Sequence, residues 1–336
     1  MTATVADAFS AYLVERLDDG TLRQGVRTLT AADLPPGEVT IRVAYSGVNY
    51  KDGLASRPDG RVVRSYPMVP GIDLAGKVVE SADPRFRPGD PVLVTGYELG
   101  VSHYGGYAQY ARVPAGWVVP LPRGLDLREA MILGTAGFTA ALALHRLEDH
   151  GLAPGQGPVL VTGASGGVGS IAVALLARRG YEVVASTGKA EAVDYLRRLG
   201  ASRVIPRDEV AVTGGKPLEK QQWAAAIDAV GGDTLAHVLR TTRYGGAVAA
   251  VGLTGGSHLH TTVFPFILRG VSLLGIDSVY CPMPLRMRIW QRLAGDLRPE
   301  ALEAMVYREV GLTELPQAFD DVLAGRARGR ILVRIA

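Results

Sequence analysis

Hydrophobic and polar positions follow two periods along this chain. From Ser10 to about Pro122 they change over in short runs, among them Val39-Thr40-Ile41-Arg42-Val43-Ala44-Tyr45, Ala75-Gly76-Lys77-Val78-Val79-Glu80 and Pro91-Val92-Leu93-Val94. Pro and Gly turns punctuate these runs, and Phe86-Arg87-Pro88-Gly89-Asp90-Pro91-Val92 sets a turn directly before a strand. Short strands with dense turns predict a small, partly open β-barrel. From Leu127 the period becomes helical: Arg128-Glu129-Ala130-Met131-Ile132-Leu133 opens a stretch that runs past Ala140 to His145, which sets a domain boundary near residue 125. Short apolar runs then return at Val159–Val161, Tyr181–Ala185, Ser202–Pro206, Ala225–Val230 and Gly246–Gly252, separated by helical spacers. That alternation predicts a parallel, doubly wound sheet. Beyond Ile276 the sequence is helical and amphipathic, and it closes with the alternating stretch Gly329–Ile335. A last strand with no helix after it is expected to return to the first domain. The expected organisation is therefore a β-domain of residues 1–125 and 300–336 and an α/β domain of residues 126–299.

One junction carries chemistry. Val159-Leu160-Val161 is followed by Thr162-Gly163-Ala164-Ser165-Gly166-Gly167-Val168-Gly169-Ser170, and Val168, Ile171, Ala172, Leu175 and Leu176 recur on one helical face. The pattern predicts strand, tight turn, helix. Glycines at 166, 167 and 169 let backbone approach a ligand, and the first helical turn aims free N–H groups at an anion such as a pyrophosphate. Ala164 stands where the dinucleotide fingerprint G-x-G-x-x-G has its first glycine, so the signal rests on its strand–turn–helix–strand context. An NAD site would place an acid about 20 residues after the glycines, on the ribose 2′-hydroxyl. Here Ser186-Thr187-Gly188-Lys189 supplies hydroxyls and a cation, which suit a 2′-phosphate and favour NADPH over NADH. An ordinary strand-to-helix loop with an exposed lysine is the bland alternative.

Composition narrows the function classes. At 336 residues, 47% hydrophobic and 21% charged, the chain is long enough for two folded domains. A net charge of +3 with few aromatics argues against nucleic acid and allows an anionic small ligand. Met1 to Val14 lacks a basic region ahead of an apolar core, and no uninterrupted apolar segment reaches membrane-spanning length, so a cytoplasmic protein without a membrane partner is expected. The single cysteine, Cys281, excludes an internal disulfide and a cysteine-based zinc cluster.

A β-domain, a dinucleotide domain and a last strand returning to the first resemble the medium-chain dehydrogenase/reductase superfamily, with a GroES-like barrel and a Rossmann-type domain. Val48-Asn49-Tyr50-Lys51-Asp52-Gly53, Pro67-Met68-Val69-Pro70-Gly71-Ile72-Asp73, Gly134-Thr135-Ala136-Gly137-Phe138-Thr139-Ala140 and the glycine-rich turn together resemble the acrylyl-CoA reductase branch, near the quinone oxidoreductases. Gly200–Arg207, Pro265–Arg269 and Gly275–Val279 are similar to that branch too, so the resemblance covers almost the whole chain. In the zinc enzymes of the superfamily a cysteine ligand stands at the place of Asn49 and a histidine at that of Ile72, which implies a metal-free enzyme here. What the resemblance implies is hydride transfer from NADPH to the β-carbon of an α,β-unsaturated acyl-CoA, in a homodimer whose subunits pair through a sheet edge that the apolar stretch Val271–Ile276 can supply.

The resemblance also nominates residues. Asn49, Tyr50 and Asp73 are the catalytic candidates. Asn49 can donate from its amide, Tyr50 is expected to line the cofactor rather than give the proton, and Lys51 and Asp52 are expected to pair. Asp73 reads equally as an acid near the reacting centre or as a turn cap after Pro70-Gly71. The cofactor candidates are Tyr50, Ser165, Gly166, Gly167, Val168, Thr187, Gly188, Lys189, Arg207, Leu253, Ile267, Ser278 and Arg330. Arg207 and Lys189 would hold the 2′-phosphate, whereas Arg330 reads also as part of a solvated run with Arg326 and Arg328. Tyr66 reads as packing against a turn, His103 as a solvated loop residue, and Lys51, Arg57, Arg61 and Arg64 as a loop cluster compatible with coenzyme A phosphates. Two other functions stay open: a quinone or alkenal reductase using NADPH, and a non-catalytic dinucleotide- or RNA-binding protein.

Overall fold

The short apolar runs become strands in the computed structural model, which describes residues 5–335. The chain runs β1 (Phe9–Arg16), β2 (Leu22–Leu29), β3 (Val39–Val48), α1 (Tyr50–Ala55), β4 (Asp73–Ser81), β5 (Pro91–Thr95), β6 (Tyr110–Val113), β7 (Val119–Pro120) and α2 (Leu127–Asp149). It continues through β8 (Val159–Val161), α3 (Gly167–Arg178), β9 (Val183–Thr187), α4 (Val193–Arg198), β10 (Arg203–Pro206), β11 (Trp223–Asp228), α5 (Gly232–Thr241) and β12 (Thr242–Ala250). It ends with α6 (Phe264–Arg269), β13 (Ser272–Gly275), α7 (Met283–Ala294), β14 (Val306–Val310), α8 (Leu315–Leu323) and β15 (Arg330–Arg334). These elements divide into two units, the first holding the chain up to Thr135, Val279–Arg288 and the stretch from Leu302 onward, the second holding the remainder.

In the first unit seven strands form one sheet in the order β14-β15-β3-β4-β5-β7, with β6 paired to β3. The last strand does return here: β15 runs antiparallel to β3, with Ile331 opposite Val48 and Arg334 opposite Tyr45. The β1–β2 hairpin is tied on through Tyr12 N–H to the Tyr107 carbonyl and Val14 N–H to the Met68 carbonyl, each 2.8 Å. Val39, Ile41, Val43, Leu74, Val92, Val94, Phe319 and Val333 fill the interior. Each such side chain contributes about 1.5–3 kcal/mol on burial. The segment from Val279 to Arg288, placed by its sequence in the second domain, groups with the first because Arg286 is fully buried against β5. Its Nη1 donates to the Thr95 carbonyl at 2.7 Å and to Thr95 Oγ1 at 2.9 Å, and its guanidinium lies 4.5 Å from the Tyr97 ring centre.

The helical stretch after residue 125 is interrupted where its sequence gives no break. Gly134 has φ 51° and ψ −154°, so α2 is two helices joined at that residue. Its length and apolar composition would allow a membrane span, which corrects the expectation that no segment reaches that length; 89% of the apolar window is buried inside the protein.

The second unit contains a six-stranded parallel sheet in the order β10-β9-β8-β11-β12-β13. Leu160, Val184, Ala226 and Val248 on its strands meet Leu235, Val238 and Leu239 of α5, and Ile171, Ala172, Leu175 and Leu176 of α3 are buried throughout. The strand expected at Tyr181–Ala185 runs two residues later, Val183–Thr187. Tyr181 closes the turn out of α3, its N–H bonding to the Leu176 carbonyl at 3.1 Å, and Ser186 and Thr187 are drawn into the strand end. The sheet order reverses direction between β8 and β11, the switch point at which doubly wound sheets open a crevice. At the far edge, β13 pairs with β12 alone among the described residues.

Candidate active site

In the first unit, the antiparallel pairing of β3 with β15 sets Asn49, just past the end of β3, beside Arg330, the first residue of β15. Asn49 is also the N-cap of α1, and Asp52 completes a capping box, its Oδ2 accepting the Asn49 backbone N–H at 2.8 Å. The Asn49 side-chain amide donates to Asp52 Oδ2 at 3.2 Å and to Asp73 Oδ2 at 3.0 Å, while its Oδ1 accepts from Arg330 Nη1 at 3.2 Å. Both amide hydrogens are therefore engaged, and none is left for a substrate oxygen in this arrangement.

Asp73 is fully buried at the start of β4, so it is not a turn cap. Its Oδ1 accepts the Gly47 N–H at 2.9 Å, and its Oδ2 accepts the Thr135 N–H at 3.0 Å. Arg330 is 2% exposed, which removes it from the solvated run, and it donates to the carbonyls of Ile132 (3.1 Å) and Val48 (3.2 Å). Its Nη2 stands 3.8 Å from Asp73 Oδ2. Two glycines make room for this pair. A Cβ at Gly134 would lie 2.7 Å from Asp73 Oδ2 and 2.9 Å from Arg330 Nη2, and one at Gly47 would overlap Arg330 Nη2.

Two buried acids thus meet at the Asn49 amide, and only Asp73 also lies against the Arg330 guanidinium. Burial, and then the charge of Asp73, push the Asp52 carboxyl up to about 7, although Asn49 and the Ile72 N–H at 3.0 Å oppose the shift. Asp52 turns into the core rather than out to Lys51, which corrects the expected pair. Tyr107, also buried, donates to the Gly47 carbonyl at 3.0 Å, and burial raises its hydroxyl well above the ordinary phenol range. The donor set does not fit zinc: Asn49 and Ile72 stand at the ligand positions, and the two acids are already taken up by Arg330, Asn49 and backbone N–H groups. Among the described residues no group of three or more His, Cys, Asp or Glu converges to hold a metal.

Other nominated residues of this unit are distributed as follows. Tyr50, the first residue of α1, is 41% exposed. Tyr66 is half-buried, with the Arg16 guanidinium 5.3 Å from its ring centre. His103 is not simply solvated: it meets Trp117 edge-on at 5.1 Å, bonds to the Arg112 carbonyl at 2.7 Å, and burial lowers its basicity.

In the second unit the glycine-rich turn follows β8 at the switch point. Gly163 has φ 58°, a left-handed conformation that favours glycine, and its carbonyl accepts the Gly166 N–H at 3.0 Å. A Cβ at Gly169 would overlap that same carbonyl, so turn and helix pack closely only with glycine there. The buried Ser165 and Thr187 hydroxyls bond to each other at 2.9 Å, and the Lys189 N–H donates to Thr187 Oγ1 at 3.1 Å, which ties the turn to the end of β9. The Arg207 guanidinium covers Gly188, where a Cβ would come within 3.0 Å of Arg207 Cζ. Ser165, Gly166, Gly167, Val168, Thr187, Gly188, Lys189 and Arg207 thus gather at one end of the sheet, with cations and no carboxylate at the end of β9. That cradle fits a phosphorylated dinucleotide. Leu253 and Ile267 are 62% and 67% exposed, and Ser278 is half-buried.

Sequence reasoning missed a buried pair in the same unit. Thr162 Oγ1 donates to Asp228 Oδ1 at 2.6 Å, and Asp228 Oδ2 accepts the Gly231 N–H at 2.7 Å, so β8 and β11 are fastened at the mouth of the crevice. The signal was an acid closing the apolar run Ala224-Ala225-Ala226-Ile227-Asp228.

Comparison with known proteins agrees with this geometry. Residues 35–123 match the alcohol dehydrogenase GroES-like domain, and residues 167–290 match the zinc-binding dehydrogenase family. The chain is 55% identical to acrylyl-CoA reductase AcuI of Ruegeria pomeroyi, over 97% of this chain and 99% of that one. It is 58% identical to Bacillus subtilis YhfP, named as a quinone oxidoreductase, over 92% of this chain and 94% of that one. The structure of YhfP with NAD bound has a TM-score of 0.95, covering 98% of this chain and 100% of that one at 56% identity. The yhdH oxidoreductase of Salmonella enterica in complex with NADP has a TM-score of 0.94 at 49% identity, covering 97% of this chain and 100% of that one.

Proposed function

The chain belongs to the medium-chain dehydrogenase/reductase superfamily, and from that premise we propose that it reduces the C=C bond of acrylyl-CoA to propionyl-CoA with NADPH, without a metal. The observation that carries this reading is the near full-length similarity, at 55% identity, to an acrylyl-CoA reductase. The cation-bearing end of β9 supports the choice of cofactor.

When bound, NADPH supplies the hydride that adds to the β-carbon of the thioester. Lys189 and Arg207 would hold its 2′-phosphate, and Ser186–Lys189, at the end of β9, contains no acid to oppose it. The free N–H groups of the first turn of α3 would face its pyrophosphate. Asp228 and Thr162 hold the strand ends that carry this cradle. In the first unit, Asp73 and Arg330 fix the Asn49 amide, and a shift of that amide off Asp52 would free one hydrogen for the negative charge that develops on the thioester oxygen. The Tyr50 ring, exposed at the start of α1, is open to a bound ligand. Solvent water suffices as proton source for the α-carbon of a reactive enolate. A homodimer joined along β13 and a cytoplasmic location accord with this reading.

A quinone substrate is the second reading, favoured by the similarity to YhfP. Oxidation of NADPH by the purified protein, measured with acrylyl-CoA, crotonyl-CoA and a small quinone in parallel and with NADH as control, decides between them. Efficient turnover of acrylyl-CoA with NADPH and poor turnover with NADH is the expected result. Reaction with the quinone alone would overturn the thioester assignment, and no turnover of any of them would favour a binding protein.

A further inference from the structure

We propose that Lys51 and the loop Arg57–Arg64 form the binding site for the phosphates at the nucleotide end of coenzyme A, an inference that rests on the acyl-CoA reading above. Between residues 51 and 64 the chain carries Lys51, Arg57, Arg61 and Arg64, against a single exposed acid, Asp59, since Asp52 is buried. This stretch is ordered by the body of the first unit rather than trailing from it. The Arg57 N–H bonds to the Leu54 carbonyl at 3.0 Å and the Gly60 N–H to the Arg57 carbonyl at 3.1 Å, so the loop folds back on the end of α1. Gly60 sits so tightly there that a Cβ would overlap the Leu54 carbonyl. At the other end the Arg64 N–H bonds to the Val101 carbonyl at 3.0 Å.

The four cations are not equivalent. Arg57 is answered by Asp320 at 2.6 Å, and Arg64 by Glu98 at 3.2 Å. Glu98 in turn accepts from the Ser102 and Tyr280 hydroxyls, which hold its carboxyl below the usual range with lesser help from the charges of Arg64 and Lys51. Lys51 and Arg61 have no carboxylate within ion-pair distance among the described residues. Arg61 is moreover held at φ 54°, a left-handed conformation that residues with a side chain rarely adopt. A surface arginine held in that conformation and left without a counter-ion is poised for an anion brought by a ligand. The helix this loop folds onto begins directly after Asn49, so the cations belong to the unit that holds the buried polar cluster. Coenzyme A carries a diphosphate and a 3′-phosphomonoester, the groups for which guanidinium offers paired N–H donors. NADPH carries phosphates too, and the test separates the two sources.

Arg61→Glu, Lys51→Glu and the double variant are compared with the unaltered protein on acrylyl-CoA and on acrylyl-pantetheine, the same thioester without its nucleotide. The KM for NADPH and the calorimetric affinity for free coenzyme A are measured alongside, and thermal unfolding checks that each variant folds. The expected result is a rise of at least about tenfold in the KM for acrylyl-CoA in the double variant, with the preference for acrylyl-CoA over acrylyl-pantetheine falling toward unity. An unchanged preference would overturn the site, as would a rise confined to the KM for NADPH. If the unaltered protein reduces neither thioester, the functional reading fails on its own. Coenzyme A binding that is lost in the double variant would then still support the site, and absence of binding would overturn it.

Discussion

Asp52 gives the buried cluster a pH dependence whose direction follows from its surroundings. Its carboxyl lies at about 7 in the folded protein and near 3.8 in an unfolded chain, so between those values the folded state binds the extra proton. The stability this provides is complete below about pH 3.8 and is lost as the pH rises through about 7. The difference in unfolding free energy between the wild-type protein and Asp52→Asn should therefore fall from about pH 4 to about pH 7 and level off above that, measured by denaturant titration at each pH. A flat difference would mean that Asp52 is ionised throughout, and that the cluster holds one more negative charge than its geometry implies. At this scale the sequence was informative about which residues matter and poor about where they point. Asn49, Asp73 and Arg330 could all be named from the chain, but the inward turn of Asp52 depends on a capping box meeting a strand start twenty-one residues later, a tertiary coincidence without a local pattern. The burial of Arg330 was hidden for the same reason: an arginine and a glycine, Arg328 and Gly329, precede it in sequence, while its partners come from Val48, Asn49, Asp73 and Ile132.

Among the elements, α3 and its turn make the sharpest forecast. Gly169→Ala puts a methyl group into the Gly163 carbonyl, so helix and turn must part. Overpacking of this kind costs about 1–3 kcal/mol, and because the displaced atoms are the pyrophosphate cradle, the dissociation constant for NADPH should rise about tenfold or more in a fluorescence titration. Unchanged affinity would show that the cradle tolerates the movement. Strand and helix periods were legible here because each element buries one face: α3 and β8 sit where the pattern of apolar residues places them, while β11 and β12 begin two and four residues before the apolar runs Ala225–Val230 and Gly246–Gly252. The break in α2 was not legible, since Gly134 among helix-forming neighbours reads as a tolerated glycine. Only the carboxylate and guanidinium lying against it explain why the chain leaves the helix there.

For the whole molecule, the fold class followed from the order of periods, strands first and then strands alternating with helices, and from a final strand with no helix behind it. What that order could not reveal is the fate of the sheet edge. Strand β13 leaves one row of N–H and carbonyl groups without a strand partner among the described residues, and its Leu273 and Leu274 are half-buried. Edges of this kind are commonly closed by a second copy. The protein should elute and scatter with twice the 35.5 kDa mass of the chain, and Leu274→Lys should shift it toward the single-chain mass. A monomer at micromolar concentration would exclude that use of the edge.

The position of β15 has a consequence for synthesis on the ribosome. Arg330 and Val48 are hydrogen-bonded neighbours separated by 282 residues. At about 5–20 residues per second, roughly 15–60 s elapse between translation of the strand that waits and the strand that completes it. Throughout that interval the growing polypeptide carries the Tyr45–Val48 end of β3 without its β15 partner, together with the buried Asp73 whose cation, Arg330, has not yet been made. The nascent chain is then exposed to chaperones and to mispairing, and the codons for β15 decide when the sheet begun by β3 is finished.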